Sequence, residues 1–258
     1  SLDEYLRQTE RYPDIKPNNE KKIIWANPSR RKTEFSIIYL HGFSASRLEI
    51  WPVADKIAEQ LGANLFYTRL TGHGRYAIEA TAEVTVEAWF RDALEALEIG
   101  KRLGNRIIIM SSSTGSTLAT WLASQRPDDI EAMVMLSPNF QPRNTKTEWI
   151  IRPWGTFITR LFQGQLRSWN STEKISTAWI NQYYTEFLFP MMALVDHVRD
   201  IRLKRLEMPI LIFYSQHDKI VDPQAIETAF SEWGSSFKRL VKVLDVEDPD
   251  NHVLAGNL

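Results

Sequence analysis

The chain has 258 residues, 43% of them hydrophobic and 24% charged, a composition typical of a globular protein that buries a large core. Its net charge of −1 gives no electrostatic reason to expect nucleic acid or an anionic membrane surface as a partner. The absence of cysteine excludes disulfides, thiolate metal sites and a cysteine nucleophile. No run approaches the roughly eighteen apolar residues of a bilayer-spanning helix, so we expect no integral membrane segment.

Short apolar runs alternate with helical patterns in the first part of the chain. Strands are predicted at 22–26, 35–40 and 64–69. The run Phe35–Leu40 is continuously apolar apart from one serine and contains β-branched residues, which favours a buried parallel strand. Helices are predicted over 49–61 and 85–103, where apolar residues recur at helical spacing.

The same alternation continues in the second part of the chain. Strands are predicted at 107–110, 131–137, 209–215 and 239–245. A helix is predicted between the last two strands, from about Asp222 to Trp233. Strands that alternate with helices predict a mostly parallel sheet with helices on both faces, which is an α/β fold.

Residues 141–205 interrupt this alternation with an aromatic-rich insertion. Helices without an intervening strand are predicted near 148–163, 172–188 and 190–204. Two interpretations are open, a cap over the strand ends or an ordinary helical layer. A single aromatic residue more often serves packing, but for the insertion as a unit we favour the cap. The predicted domains are an α/β core of residues 1–140 and 206–258 and a helical cap of residues 141–205.

A run of small residues follows the strand at 107–110 and precedes a helical pattern. Residues 111–115 (SSSTG) fit the G-x-S-x-G frame of a nucleophile elbow, with Ser113 at its apex and Ser111 in place of the first glycine. Serine is small, and the strained position of an elbow is the nucleophile itself. We therefore expect Ser111 to be tolerated.

Polar groups follow four of the predicted strands, namely His41 with Gly42 and Phe43, then Ser113, Asp218 and His252. Ligands of an open parallel sheet bind outside the carboxyl ends of its strands, where these groups are expected to meet. The chain order Ser, Asp, His is that of the α/β-hydrolase triad.

Several segments resemble those of α/β-hydrolases of the carboxylesterase and monoacylglycerol-lipase type. Besides the elbow they are 39–46 (YLHGFSAS), 69–74 (RLTGHG), 216–223 (QHDKIVDP) and 251–254 (NHVL). The resemblance covers roughly residues 35–255 and implies the fold of that family. It also implies that Ser113 is the nucleophile, His252 the base and Asp218 the acid that orients His252. The backbone N–H groups of Phe43 and Thr114 would form the oxyanion hole.

Other polar residues compete for these roles. Asp222 is a second candidate acid, but Asp222-Pro223 is typical of a helix N-cap followed by proline, so Asp218 is preferred. Acidic residues before His252 are expected to form a solvated loop; they are Asp245, Asp248 and Asp250. The remaining histidines are expected to be non-catalytic; they are His41, His73, His197 and His217. The histidine spacing gives a metal site little support, and we expect no cofactor.

The resemblance predicts a serine hydrolase of carboxylic esters with an apolar short- to medium-chain acyl group or of monoacylglycerols. Its partner would then be a small-molecule ester. The same site could serve an acyltransferase or a thioesterase, and the same fold could serve a non-catalytic protein that binds a small ligand. The sequence leaves the oligomeric state and the compartment open.

Overall fold

The structure is a computed structural model that describes residues 1–82, 84–144 and 165–257. Its main feature is a seven-stranded sheet in the order β1-β3-β2-β4-β5-β8-β9. β1 is antiparallel to β3, and all other neighbours are parallel. The strands of this sheet are β1 (Lys22–Ile24), β2 (Thr33–Leu40), β3 (Asn64–Tyr67), β4 (Gly104–Ser112), β5 (Ala132–Leu136), β8 (Ile210–Tyr214) and β9 (Lys238–Lys242).

Helices connect and cover these strands. The described α-helices are α1 (Leu2–Thr9), α2 (Val53–Leu61), α3 (Val86–Leu103), α4 (Thr114–Gln125), α5 (Glu173–Ala178), α6 (Leu188–Arg199) and α7 (Pro223–Glu232). Short 3-10 helices lie at Arg47–Ile50, Ile78–Thr81, Pro127–Asp129, Thr185–Phe187 and Leu203–Arg205. Among the described helices, none is long and apolar enough to cross a membrane.

Alternation along the central strands builds a core on each face of the sheet. Ile38 and Leu40 of β2 pack with Trp89 of α3 on one face. Ile37 and Tyr39 pack with residues of α2 on the other face. Because successive side chains of a strand point to opposite faces, a continuously apolar strand can serve both cores. The predicted α/β sheet with helices on both faces is confirmed.

The predicted helix over 49–61 is instead two elements. A 3-10 helix ends at Ile50, and α2 begins at Val53 after Pro52. Proline has no N–H to donate to the preceding turn, so one continuous helix could not carry its hydrogen bonds through this position. The break leaves Glu49 in the short helix beside β2.

The insertion differs from the predicted run of helices. The prediction near 148–163 lies within 145–164, outside the described residues. The prediction over 172–188 was wrong in part, because α5 ends at Ala178 and the segments on either side of it pair as a small antiparallel sheet of β6 (Leu166–Ser168) and β7 (Gln182–Tyr184). Aromatic residues favour strands as well as helix interiors, and Tyr183 and Tyr184 fall in β7. The third predicted helix is α6, which begins at Leu188.

Candidate active site

β4 turns sharply into α4 at Ser113, whose backbone has φ 49° and ψ −120°. Such a dihedral pair is strained for a residue with a Cβ atom. The N–H group of Ser113 donates to Leu136 O at 2.9 Å, which holds the turn against β5. A Cβ atom at residue 115 would lie 2.1 Å from Leu40 O, so only glycine fits there. The elbow thus presents one side chain, that of Ser113, at the carboxyl end of the sheet.

Ser111 lies inside β4 and does not share this strain. It pairs with Leu40 and Met135 on either side and is fully buried. Its Oγ accepts a hydrogen bond from Ser116 Oγ at 3.0 Å. Because the positive φ falls at Ser113, serine serves at position 111 without a glycine conformation.

Ser113, His252 and Asp218 lie together, although they are far apart in the chain. Ser113 Oγ donates towards His252 Nε2 at 2.9 Å, and His252 Nδ1 faces Asp218 Oδ2 at 2.8 Å. The Asp218 side chain is fully buried, and its Oδ1 accepts from the N–H groups of Ile220 and Val221 at 2.8 and 2.9 Å. With both oxygens occupied, the carboxylate is fixed in orientation, and it fixes the His252 ring in turn.

Two residues outside the predicted triad, Asp248 and Ser137, hold the histidine loop. Asp248 Oδ2 accepts the N–H groups of His252 and Val253 at 2.8 and 3.1 Å. Ser137 Oγ donates to His252 O at 2.7 Å. The expected solvated loop is found for the exposed Asp245 and Asp250, but Asp248 is half-buried and its carboxylate organises the backbone that carries His252. The sequence carries no signal that distinguishes Asp248 from Asp245 and Asp250.

The second acid, Asp222, lies at the start of α7 as the cap pattern predicts. Its side chain accepts from Gln224 N–H at 3.1 Å, and Pro223 occupies the first helical position. This use as a cap satisfies an otherwise unpaired donor of the helix. In the structure Asp218, not Asp222, contacts His252.

The backbone N–H groups of Phe43 and Thr114 were the predicted oxyanion donors. Thr114 begins α4, where helix N–H groups have no intrahelical acceptor and the helix dipole favours negative charge. Phe43 lies in the loop after β2. Neither N–H donates to another residue in the parts of the chain described here. Both are therefore available to an acceptor that enters the site.

A buried carboxyl group, Glu49, lies beside this loop and was missed by the sequence reasoning. Its Oε1 accepts from Tyr39 O–H at 2.6 Å and from Gly42 N–H at 2.7 Å. Burial raises the pKa of Glu49 to about 7, while these two donors and the nearby His252 act in the opposite direction. A lone glutamate at the start of a predicted helix carries no sequence signal that it is buried.

His41 and His73 serve the backbone, as expected for histidines in glycine-flanked loops. His41 Nε2 accepts from Leu70 N–H and His73 Nε2 accepts from Ser44 N–H, each at 3.0 Å. Burial lowers the pKa of His41 to about 4 and that of His73 well below its usual value, so both rings stay neutral acceptors. His197 and His217 are exposed.

Aromatic side chains from the insertion pack on the loop after β2. The ring of Phe43 lies 5.4 Å from that of Tyr183 and 4.7 Å from that of Phe187. Ile180 N–H donates to Ser44 O at 2.7 Å, which ties the two segments together. Phe187 is fully buried and belongs to the core, as the packing interpretation of single aromatic residues expects, whereas Trp169 is exposed.

Comparison with known proteins places this chain among serine hydrolases of the α/β-hydrolase fold. A family model described as serine aminopeptidase, S33, matches residues 31–187. The thermostable monoacylglycerol lipase of Bacillus sp. (strain H-257) is 26% identical over 212 residues, which cover 80% of each chain.

Solved structures of lipolytic enzymes share the fold. A structure from work on the metagenome-derived lipolytic enzymes LipS and LipT superposes with a TM-score of 0.70 at 19% identity, covering 90% of this chain and 89% of that one. The monoacylglycerol lipase of Paleococcus ferrophilus superposes with a TM-score of 0.64 at 15% identity, covering 89% and 92%.

Proposed function

Because this chain is an α/β-hydrolase that belongs to the serine aminopeptidase, S33, family, we propose that it cleaves carboxylic esters through a Ser113–His252–Asp218 triad. The observation that supports this assignment is the unbroken relay from Ser113 Oγ to His252 Nε2 and from His252 Nδ1 to Asp218 Oδ2. A serine hydroxyl is a weak nucleophile, and a histidine at hydrogen-bond distance is the group that activates it.

In the first half-reaction Ser113 Oγ attacks the carbonyl carbon of the ester while His252 Nε2 takes the hydroxyl proton. His252 then gives that proton to the leaving alkoxide, which departs as an alcohol and leaves an acyl group on Ser113. In the second half-reaction His252 takes a proton from water, the hydroxide attacks the acyl group, and the carboxylic acid leaves as Ser113 regains its proton. Asp218 stabilises the imidazolium that forms in each half.

The negative charge that develops on the carbonyl oxygen needs donors in place before the reaction. The N–H groups of Phe43 and Thr114 are in this proposal the oxyanion hole. A donor of this kind contributes roughly 3 kcal/mol to the transition state, because it is already oriented when the charge appears.

The substrate we propose carries an apolar short- to medium-chain acyl group, with monoacylglycerols in the same class. The partly exposed aromatic rings of Phe43 and Tyr183 lie together at the proposed oxyanion loop, and the proteins compared above include monoacylglycerol lipases. We further propose that residues 141–205 act as a cap, which the contacts of Tyr183 and Ile180 with the loop after β2 support.

An acyl-length series tests both parts of the proposal. Hydrolysis of p-nitrophenyl esters from acetate to palmitate and of matched monoacylglycerols is measured for the wild type, Ser113→Ala and Ser124→Ala. Ser124 is a matched control on α4, whose hydroxyl donates to Trp121 O and accepts from Gln125 Nε2 within its own helix.

We expect Ser113→Ala to lose essentially all turnover at unchanged melting temperature and Ser124→Ala to retain it. The specificity constant should peak at short to medium acyl groups. Turnover by Ser113→Ala at the wild-type rate would refute the triad. Thioesters cleaved in preference to every ester, or transfer to an added alcohol in preference to water, would instead support a thioesterase or an acyltransferase. A folded wild type without turnover on any of these compounds would favour a binding protein.

A further inference from the structure

The backbone N–H groups of the loop after β2 differ in whether they have a hydrogen-bond acceptor. Gly42 N–H donates to Glu49 Oε1 at 2.7 Å, Ser44 N–H to His73 Nε2 at 3.0 Å, and Ala45 N–H to Gly42 O at 3.2 Å. Within the described parts of the chain, Phe43 N–H is left without an acceptor. Because the N–H groups of Gly42, Ser44 and Ala45 already have acceptors, Phe43 N–H is the one that these contacts leave available.

Glu49 is the one acidic group among these partners, and its position is costly. The residue is only 4% exposed, and in the described residues it forms no ion pair. Burying a carboxyl group without a cation lowers stability unless its hydrogen bonds offset the loss of hydration. Here both hydrogen bonds converge on Oε1, from Tyr39 in β2 and from Gly42 in the loop.

The same carboxyl group lies next to the nucleophile. A Cβ atom built on Gly42 would lie 3.0 Å from Glu49 Oε2 and 3.2 Å from Ser113 Cβ. Glu49 and Ser113 thus flank one point on the loop, and the glycine there lets both approach. A shift of the Glu49 side chain would move Gly42 and with it the peptide that carries Phe43 N–H.

We propose that Glu49 is a positioning residue of the oxyanion hole, which turns Gly42 N–H away from the site and leaves Phe43 N–H directed to the substrate. The inference rests on the proposed esterase function. Glu49 touches no reacting atom in this scheme. It acts through the hydrogen bond to Gly42. The side chain must therefore carry an acceptor oxygen and be long enough to place it at Gly42 N–H, and its charge is secondary.

Three substitutions of Glu49 separate the effect of side-chain length from the effect of charge. Glu49→Gln keeps an oxygen acceptor at the same distance and removes the charge. Glu49→Asp keeps the charge on a side chain that is one methylene shorter. Glu49→Leu removes both the charge and the acceptor oxygen. Glu59→Leu on the exposed side of α2 is the matched control. Each variant is assayed for kcat and KM with p-nitrophenyl butyrate and for inhibition by butylboronic acid, whose tetrahedral adduct on Ser113 places an oxygen in the oxyanion hole.

We expect Glu49→Leu and Glu49→Asp to lose at least about tenfold in kcat, towards the 10²–10³ that loss of an oxyanion donor costs. KM should change little, and boronate affinity should fall in parallel with kcat. Glu49→Gln should recover most of the kcat, within about threefold, because a neutral acceptor still holds the N–H group.

Other results would overturn the inference. Wild-type kcat in folded Glu49→Leu, or a kcat retained by Asp and lost by Gln, would show that the hydrogen bond to Gly42 is not what matters. A lowered melting temperature with unchanged kcat and boronate affinity would leave Glu49 with a structural role only. If Glu49→Leu does not fold, the Asp and Gln pair decides. Failure of the esterase proposal itself is distinguishable, because Ser113→Ala would then retain turnover whatever the Glu49 variants do.

Discussion

The buried carboxyl of Glu49 makes the stability of this protein depend on pH in a way that one substitution should remove. Burial raises the pKa of Glu49 from 4.5 to about 7 in the folded chain. Between these values the unfolded chain has released the proton and the folded chain retains it. The free energy of unfolding therefore falls as pH rises through this window, and above about pH 7 the penalty is constant.

The magnitude follows from the width of the window. One pKa unit corresponds to about 1.4 kcal/mol, so the contribution of Glu49 should fall by roughly 2 to 3 kcal/mol between pH 5 and pH 8. Glu49→Gln has no proton to release and keeps an acceptor for Tyr39 and Gly42. Relative to the wild type, this variant should therefore gain roughly 2 to 3 kcal/mol of stability as pH rises from 5 to 8.

Urea unfolding followed by tryptophan fluorescence at pH 5, 6, 7 and 8 measures this difference, and contributions of groups that do not interact with Glu49 cancel between the two proteins. Glu59→Gln, at an exposed position of α2, is the matched control. A difference for Glu49→Gln that stays flat, or that grows in favour of the wild type as pH rises, would refute the burial of an acid with a raised pKa.

Three further predictions concern the elbow, the acid and the base. Gly115→Ala should prevent stable folding, because its Cβ atom would lie 2.1 Å from Leu40 O, whereas Gly62→Ala, with open space around it, should cost only about 1 kcal/mol by thermal unfolding. Asp218→Asn should lower kcat by up to about 10⁴ without unfolding the protein. Asp222→Ala should lose about 1 kcal/mol of stability at unchanged kcat. A loss of kcat in Asp222→Ala but not in Asp218→Asn would instead make Asp222 the triad acid. The kcat/KM for esters should fall at acidic pH, because a protonated histidine cannot accept the Ser113 proton, and a flat profile would contradict a histidine base.

The parallel sheet could be predicted from sequence because its strands are short, continuously apolar runs between turns. Phe35–Leu40 and the strand before Ser113 are examples, and their order along the chain predicts the α/β class. The side chains of Ser113, Asp218 and His252 could be singled out for a related reason. Each follows a strand, and parallel strands bring their carboxyl ends to one edge.

What the sequence did not predict depends on contacts between distant segments. Glu49 is a polar residue at helical spacing, and only its approach to Tyr39 and Gly42 in space reveals it as buried. Asp248 could not be separated from neighbouring acids, because its two hydrogen bonds go to the backbone of its own loop. The small antiparallel sheet of β6 and β7 has three residues in each strand, too few for an alternating pattern to show.

The most direct test of the proposed chemistry is the site at which a fluorophosphonate attaches to the folded protein. The reagent is attacked by an activated serine, and fragmentation of the labelled peptide distinguishes Ser113 from Ser111, Ser112 and Ser116. We predict a single adduct on the Ser113 hydroxyl, which is lost when His252 is replaced by alanine. An adduct on another serine, or none at all in a folded wild-type protein, would contradict Ser113 as the nucleophile.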